Sequence, residues 1–383
     1  MKHTVLALVF GISLLSGLKA QYNESLLSRS LEGQDKSIEV HYSWENGKLV
    51  IPVVMHGDSL RFLFDTGALS VIKSSLVSKY GFTAFRESNL TDANNAQSKA
   101  DLVHMDSLAL DGVWIENIPT AVIDDENFIF SCIGVDGILG SNVLVGMFVE
   151  IDHQEKTIRI SPSPGDTLSN RMAVNKQNMP FFQLGFGEKK AFFLFDSGAN
   201  DFGDISKKTR NKFRKNLTLV ASAYGISGFS AHGFDKPDKI DYYLADHLAL
   251  ASGTGLKGFF STNQDNRLGS LLLEQGRLRM DFQSRSWDMD QYPHQGYTEF
   301  GFVNVVPMQI AGKLVVGKKL ASLSDVAIGD EVVEIREMDM TGFSNCALIR
   351  GEFNERFEGK TLIVQTKKGK QAVIIRKVTF DKN

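Results

Sequence analysis

The stretch Phe62-Leu63-Phe64-Asp65-Thr66-Gly67-Ala68 returns as Phe193-Leu194-Phe195-Asp196-Ser197-Gly198-Ala199, with only Thr exchanged for Ser. Each copy places an Asp at the end of an apolar run, followed by a hydroxyl residue and a glycine. Two carboxyls held close together cannot both ionise cheaply, so such a pair shares one proton across an acidic to near-neutral range. The charged member can deprotonate a water. The protonated member can polarise an amide carbonyl and later return a proton to the departing nitrogen. That chemistry calls for no cofactor, no metal and no nucleophilic side chain. Asp65 and Asp196 are therefore the candidate catalytic pair.

Their neighbours suit the task. Gly67 and Gly198 let each backbone approach its mate closely, and the hydroxyls of Thr66 and Ser197 can lock the two loops to one another. Phe64 and Phe195 would pack the strands from behind. Ile138-Leu139-Gly140 is echoed by Leu268-Gly269, and Gly140 and Gly269 would sit against the Asp-bearing turns. The copies differ in two places. Arg267 stands where the first copy has an apolar residue, and Asn200-Asp201 follows the second motif where Leu69-Ser70 follows the first. Asp201 would add negative charge near the pair.

To hold these residues the chain needs strands, and it offers them twice. Leu49 to Met55, Gly57 and Leu60 to Phe64 read as strand, turn and strand, as do Pro180 to Phe186, Gly187 and Ala191 to Phe195. From Asp65 to Gly140 is 75 residues and from Asp196 to Gly269 is 73. Beyond the glycines, Asp152, Gln154 and Lys156 answer to Asp281, Gln283 and Arg285. A repeat of this length means a duplicated unit rather than two chance turns. Short helices are predicted over Ser74 to Tyr80 and Lys207 to Lys215. The polar run Thr91 to Ala100 suits the tip of a hairpin over a cleft, and Tyr224 to Gly228 holds the matching place in the second half. A further set of strands is predicted from Phe300 to Val306, Leu314 to Val316, Glu331 to Ile335, Leu362 to Gln365 and Gln371 to Val378.

Composition bounds the rest. With 383 residues, 43% apolar and 23% charged, the chain is long enough for two or three domains. A net charge of −3 gives no support for nucleic-acid binding, which needs a clustered basic face. Lys2 and His3 before the apolar run Val5 to Leu15 form a signal-peptide pattern with a core too short to span a bilayer. Export to the periplasm or the extracellular space is the expectation. Cys132 and Cys346 are expected to be free buried thiols, because two distant cysteines do not make a disulfide scaffold. The histidines show no metal-ligand spacing, and no Gly-x-Ser-x-Gly elbow is present.

Asp65-Thr66-Gly67-Ala68 with Ile138-Leu139-Gly140 resembles the retropepsin-type aspartic proteases. The second copy makes residues 40 to 290 similar to a single-chain version of that normally homodimeric fold. The implied architecture is mainly β: two tandem retropepsin-like acid-protease β-barrel lobes in pseudo-twofold arrangement plus a C-terminal PDZ-like domain. The boundaries are a signal peptide over 1–20, lobes over 21–164 and 165–292, and the PDZ-like domain over 293–383. The last rests on Phe300-Gly301-Phe302, which resembles the PDZ carboxylate-binding loop, and on Ile328 to Ile335, which resembles the family's Gly-Asp-apolar strand. The resemblance implies a peptidase acting on extended peptide or protein substrates, with a C-terminal peptide as the PDZ-like domain's ligand. The rival readings are a peptide-binding protein that kept the fold without turnover, and an envelope scaffold whose C-terminal domain recruits partners.

Overall fold

The computed structural model describes residues 26–31, 35–91, 97–165, 167–186, 188–230, 233–250, 255–293, 300–338, 343–349 and 357–380. The signal-like stretch and residues 92–96 of the expected hairpin tip lie outside the described residues. The architecture is mainly β, with the strands closed into barrels.

Alternating side chains build the first hairpin. Lys48–Met55 and Asp58–Asp65 pair antiparallel from Met55 opposite Asp58 to Val50 opposite Leu63. His56 and Gly57 both take positive φ between them, the turn whose twist matches a two-residue β-hairpin. Phe62 and Phe64 are buried in the core. The strand ends at Asp65, where it lies parallel to Gly137–Gly140 with Asp65 opposite Gly140. Val71–Lys73 then runs antiparallel to Gly137–Gly140 and parallel to Val113–Ile123. The helix Ser74–Tyr80 follows, closed by Gly81 in the left-handed conformation.

The same order of pairings occurs again further along. Pro180–Phe186 pairs with Lys189–Asp196, which lies parallel to Arg267–Gly269 with Asp196 opposite Gly269. Gly203–Ser206 pairs with both Arg267–Gly269 and Gly255–Asn263. The helix Lys207–Phe213 comes next, its Thr209 N–H donating to the Oγ of the capping Ser206. Each half also carries a long hairpin. The first is Ala84–Thr91 with Gln97–Leu110, and the second is Leu217–Gly225 with Asp238–Ala249.

The halves join through a shared sheet. Met147–Asp152 lies antiparallel to Gly276–Asp281, with Glu150 opposite Arg279. Outside them run Thr157–Pro162 and Ser286–Gln291, and then Ile38–His41 and Asn170–Val174. The two hairpin turns have one design. Asp152 Oδ1 accepts the N–H groups of Gln154 and Glu155, and Asp281 Oδ1 accepts those of Gln283 and Ser284. Lys156 and Arg285 then take positive φ. This explains why those positions matched in the sequence. One apolar cluster runs through both halves and includes Phe62, Phe64, Phe193, Phe195, Val149 and Met280.

Among the described residues of 300–380 there are seven strands, where about five were expected. The run from Phe300 divides into Phe300–Val303 and Val305–Ile310. Asn304 sits between them, accepting from the Arg376 N–H through Oδ1 and donating to the Ile374 carbonyl through Nδ2. Those contacts also divide the last run into Gly369–Ile374 and Lys377–Phe380. A separate apolar cluster around Val305, Val316, Ile335, Phe357, Leu362 and Ile375 fills this unit.

Among the described residues, a strand pairing and a covalent bond tie this unit to the rest. The strand Lys313–Leu320 pairs with Leu217–Gly225 through Leu320 opposite Ala223 and Lys318 opposite Gly225, and Ile226 enters the unit's apolar cluster. The other tie corrects an expectation: Cys132 and Cys346 are not free thiols but a disulfide. The helices Phe128–Ile133 and Cys346–Ile349 bring them together across 214 residues of chain. Distance along the sequence hid a pairing that tertiary packing creates.

Candidate active site

Each motif leaves its strand in a tight turn stabilised by its own carboxylate. Asp65 Oδ1 accepts the Gly67 N–H at 2.9 Å, and Asp196 Oδ1 accepts the Gly198 N–H at 3.0 Å. The two turns then interlock. Thr66 Oγ1 donates to the Phe195 carbonyl at 2.7 Å and accepts the Ser197 N–H at 3.1 Å. Ser197 Oγ donates to the Phe64 carbonyl at 2.8 Å and accepts the Thr66 N–H at 3.0 Å. Thr66 and Ser197 are wholly buried, so these four bonds form without competition from water and leave no hydroxyl unsatisfied.

The interlock brings the carboxyls face to face. A Cβ on Gly67 would lie 2.5 Å from Asp196 Cγ, and a Cβ on Gly198 would lie 2.3 Å from Asp65 Oδ2. Only glycine permits this approach. Gly140 and Gly269 lie against the turns: a Cβ on Gly140 would meet the Ala68 carbonyl at 2.4 Å, and one on Gly269 the Asp201 carbonyl at 2.3 Å. Eight of the sequence-derived site residues thus meet in one cluster: Asp65, Thr66, Gly67, Gly140, Asp196, Ser197, Gly198 and Gly269. Phe300, Gly301 and Phe302 belong elsewhere, in a strand paired with Lys377–Phe380.

The surroundings act strongly on Asp65. Burial pushes the Asp65 carboxyl well above the usual range, and the charge of Asp196 and a hydrogen bond to it push the same way. The Gly67 N–H and Lys48 oppose this and are outweighed.

Several participants were not evident in the sequence. Lys48 is buried and donates through Nζ to the Gly198 carbonyl at 2.7 Å. Burial lowers its proton affinity, against the pull of Asp196, Asp65 and Asp201. Its position after the Asn46-Gly47 turn was the one available signal, and a turn does not reveal what it faces. Ser270 Oγ donates to the Gly47 carbonyl and Ser141 Oγ to the Gln177 carbonyl, so each half clasps the other's lead-in turn. Asn142 accepts the Ser70 N–H and hydroxyl and donates to the Pro119 carbonyl, which fixes the chain after the first motif.

The two departures of the second copy prove to be one structure. Arg267 Nη2 lies 2.8 Å from Asp201 Oδ2 and 2.7 Å from Asp204 Oδ2, and Nη1 lies 3.6 Å from Asp196 Oδ2. Asp204 is further held by Ser261 and by Asn263 Nδ2. The Asp201 side chain is 41% exposed overall, yet its Oδ1 is buried with no hydrogen-bond partner among the described residues. Burial raises the Asp201 carboxyl to about 6, with Arg267 pulling it down and Asp204 and Asp196 pushing it up.

Comparison with known proteins agrees with this geometry. A family model described as aspartyl protease matches residues 51–143, the stretch that carries Asp65 and Gly140. No curated protein matches the chain. The family match and the β-barrel structure fit a retropepsin-like protease, and they support a protease function in general.

Proposed function

We propose that the chain is an aspartic endopeptidase built from two tandem retropepsin-like lobes, in which Asp65 and Asp196 together activate one water against a peptide bond. The observation that carries this reading is the reciprocal bonding of Thr66 and Ser197, which sets two carboxyl-bearing turns face to face. A pair so placed holds one proton and one negative charge, the combination that acid–base attack on an amide needs. The long hairpin Ala84–Thr91/Gln97–Leu110 supplies backbone that an extended substrate can pair with. Export is part of the proposal, and the Cys132–Cys346 disulfide agrees with an oxidising compartment.

For residues 293–383 the proposed role is a PDZ-shaped clasp on the two lobes. Where strand addition would seat a peptide beside Val305–Ile310, the Asn345 side chain already bonds both the N–H and the carbonyl of Gln309. Pro307 in the same strand has no N–H to give. Capture of a C-terminal peptide is the competing role, and binding of peptides ending in a free carboxylate would favour it.

The test of the whole reading is cleavage of a mixed peptide library between about pH 3 and 8, with and without a statine-type transition-state mimic. Cleavage blocked by the mimic, and lost in both Asp65→Asn and Asp196→Asn, is the expected result. Loss from only one substitution would argue against a shared pair. Peptide binding without turnover would leave a protein that kept the fold alone.

A further inference from the structure

The likeness of the two halves breaks at charged positions around the carboxyl pair, and the two cations among them both make contact on the side of the second turn. In the first half Ile138 pairs with Leu63 and Val71. In the second, Arg267 occupies that place and pairs with Leu194 and Asp204. An apolar cross-strand pair has become an ion pair. Val50 pairs with Leu63 and Phe181 with Leu194, so two residues earlier Lys48 corresponds to uncharged Met179. Both unduplicated cations therefore serve the second turn: Lys48 at the Gly198 carbonyl, and Arg267 beside Asp196. Among the described residues no cation lies within ion-pair distance of Asp65.

We propose that Arg267 divides the labour of the pair, keeping its negative charge on Asp196 so that Asp196 is the base toward water while Asp65 carries the shared proton. This rests on the peptidase reading above. The raised proton affinity of buried Asp65 agrees with it. The charged and titratable groups facing the pair are Lys48 from the first half and Asp201, Asp204 and Arg267 from the second. Asp201 and Asp204 both hold the guanidinium through Nη2, leaving Nη1 toward Asp196.

The steps balance. Water gives a proton to Asp196 as its oxygen bonds the carbonyl carbon, and the carbonyl oxygen takes the proton of Asp65. The resulting diol leaves Asp65 charged and Asp196 protonated. On collapse, one hydroxyl proton passes to Asp65 as the carbonyl re-forms, Asp196 protonates the nitrogen, and the C–N bond breaks. The resting arrangement is thereby restored. Arg267 favours the second half of the cycle, because it draws the negative charge back to Asp196.

Arg267 is thus a positioning residue, and the test must see protons rather than rate alone. In the full chain with 13C-labelled Asp carboxyls, assigned through Asp65→Asn and Asp196→Asn, the Asp65 signal should stay in the protonated range to neutral pH. The Asp196 signal should stay in the carboxylate range. Arg267→Ile, the residue type of position 138, should erase the difference and move the acid limb of the kcat/KM profile up by about one pH unit. Arg267→Lys should keep the order. A protonated Asp196 in the wild-type protein would overturn the assignment even if Arg267→Ile fails to fold. So would an Arg267→Ile protein whose carboxyls are unchanged. Wild-type protein with the expected carboxyl order that cleaves no peptide would instead sink the peptidase reading, and with it the reaction roles, while the order of protonation stood.

Discussion

Cys132 and Cys346 are covalently joined, although one lies in a helix of the first half and the other in the C-terminal unit. With the strand pairing of Ala223–Gly225 to Lys318–Leu320, the bond makes that unit a bridge between the halves. Cross-linking over 214 residues removes much of the freedom of the unfolded chain. Cys132→Ser with Cys346→Ser should therefore lower stability by about 2–4 kcal/mol. Denaturant titration of the oxidised protein and the double variant checks this. An unchanged midpoint would show that the strand pairing and the Ile226 contact carry the attachment alone.

Gly198 and Gly67 should tolerate nothing larger. A Cβ at Gly198 would sit 2.3 Å from Asp65 Oδ2, and one at Gly67 would sit 2.5 Å from Asp196 Cγ. Gly198→Ala and Gly67→Ala are expected to force the carboxyls apart and lower kcat by about 10²-fold or more. Far-ultraviolet dichroism should be unaltered, since the barrel strands do not depend on these turns. Wild-type rates in either variant would mean that the two side chains do not act as a unit.

Stability should record the strain of the pair. The Asp65 carboxyl binds its proton more tightly folded than unfolded. Below the unfolded value both states are protonated and nothing is lost. As pH rises from there toward the folded value, only the unfolded chain releases its proton, so folding stability falls; above the folded value the penalty is constant. Asp65→Asn should therefore raise Tm at pH 7 by ~2–4 °C, the shift that roughly 1 kcal/mol produces in folds of this scale. The gain should fade toward pH 3. A melt that drops at neutral pH, or a gain independent of pH, would contradict the raised carboxyl.

The sequence carried the site further than it carried the surroundings. Asp65 and Asp196 could be singled out because six of seven consecutive residues recur, and the glycines and hydroxyls beside them have one geometric use. The turns after Asp152 and Asp281 matched for the same local reason. Ser74–Tyr80 could be placed to the residue, since a short helix after a strand is a local pattern. What escaped depends on chain segments far apart. The disulfide, the Lys48 contact and the union of Arg267 with Asp201 and Asp204 span 214, 150 and at least 63 residues. Read one position at a time, Arg267 and Asp201 look like two defects of the second copy. Across the sheet they belong, with Asp204, to one ion-paired group in which the guanidinium also faces Asp196.

The Ala223–Gly225 pairing has a last consequence. Gly225 lies so near Gly317 that an added Cβ would come within 2.2 Å of its carbonyl, and the neighbouring Ile226 N–H also bonds that carbonyl. The second long hairpin is thereby spliced into the C-terminal sheet, whereas Ala84–Thr91 is the outermost strand of its own sheet. One half therefore keeps its long hairpin at the edge of a sheet while the other half's is held by a neighbouring unit, an asymmetry that exact twofold repetition would forbid.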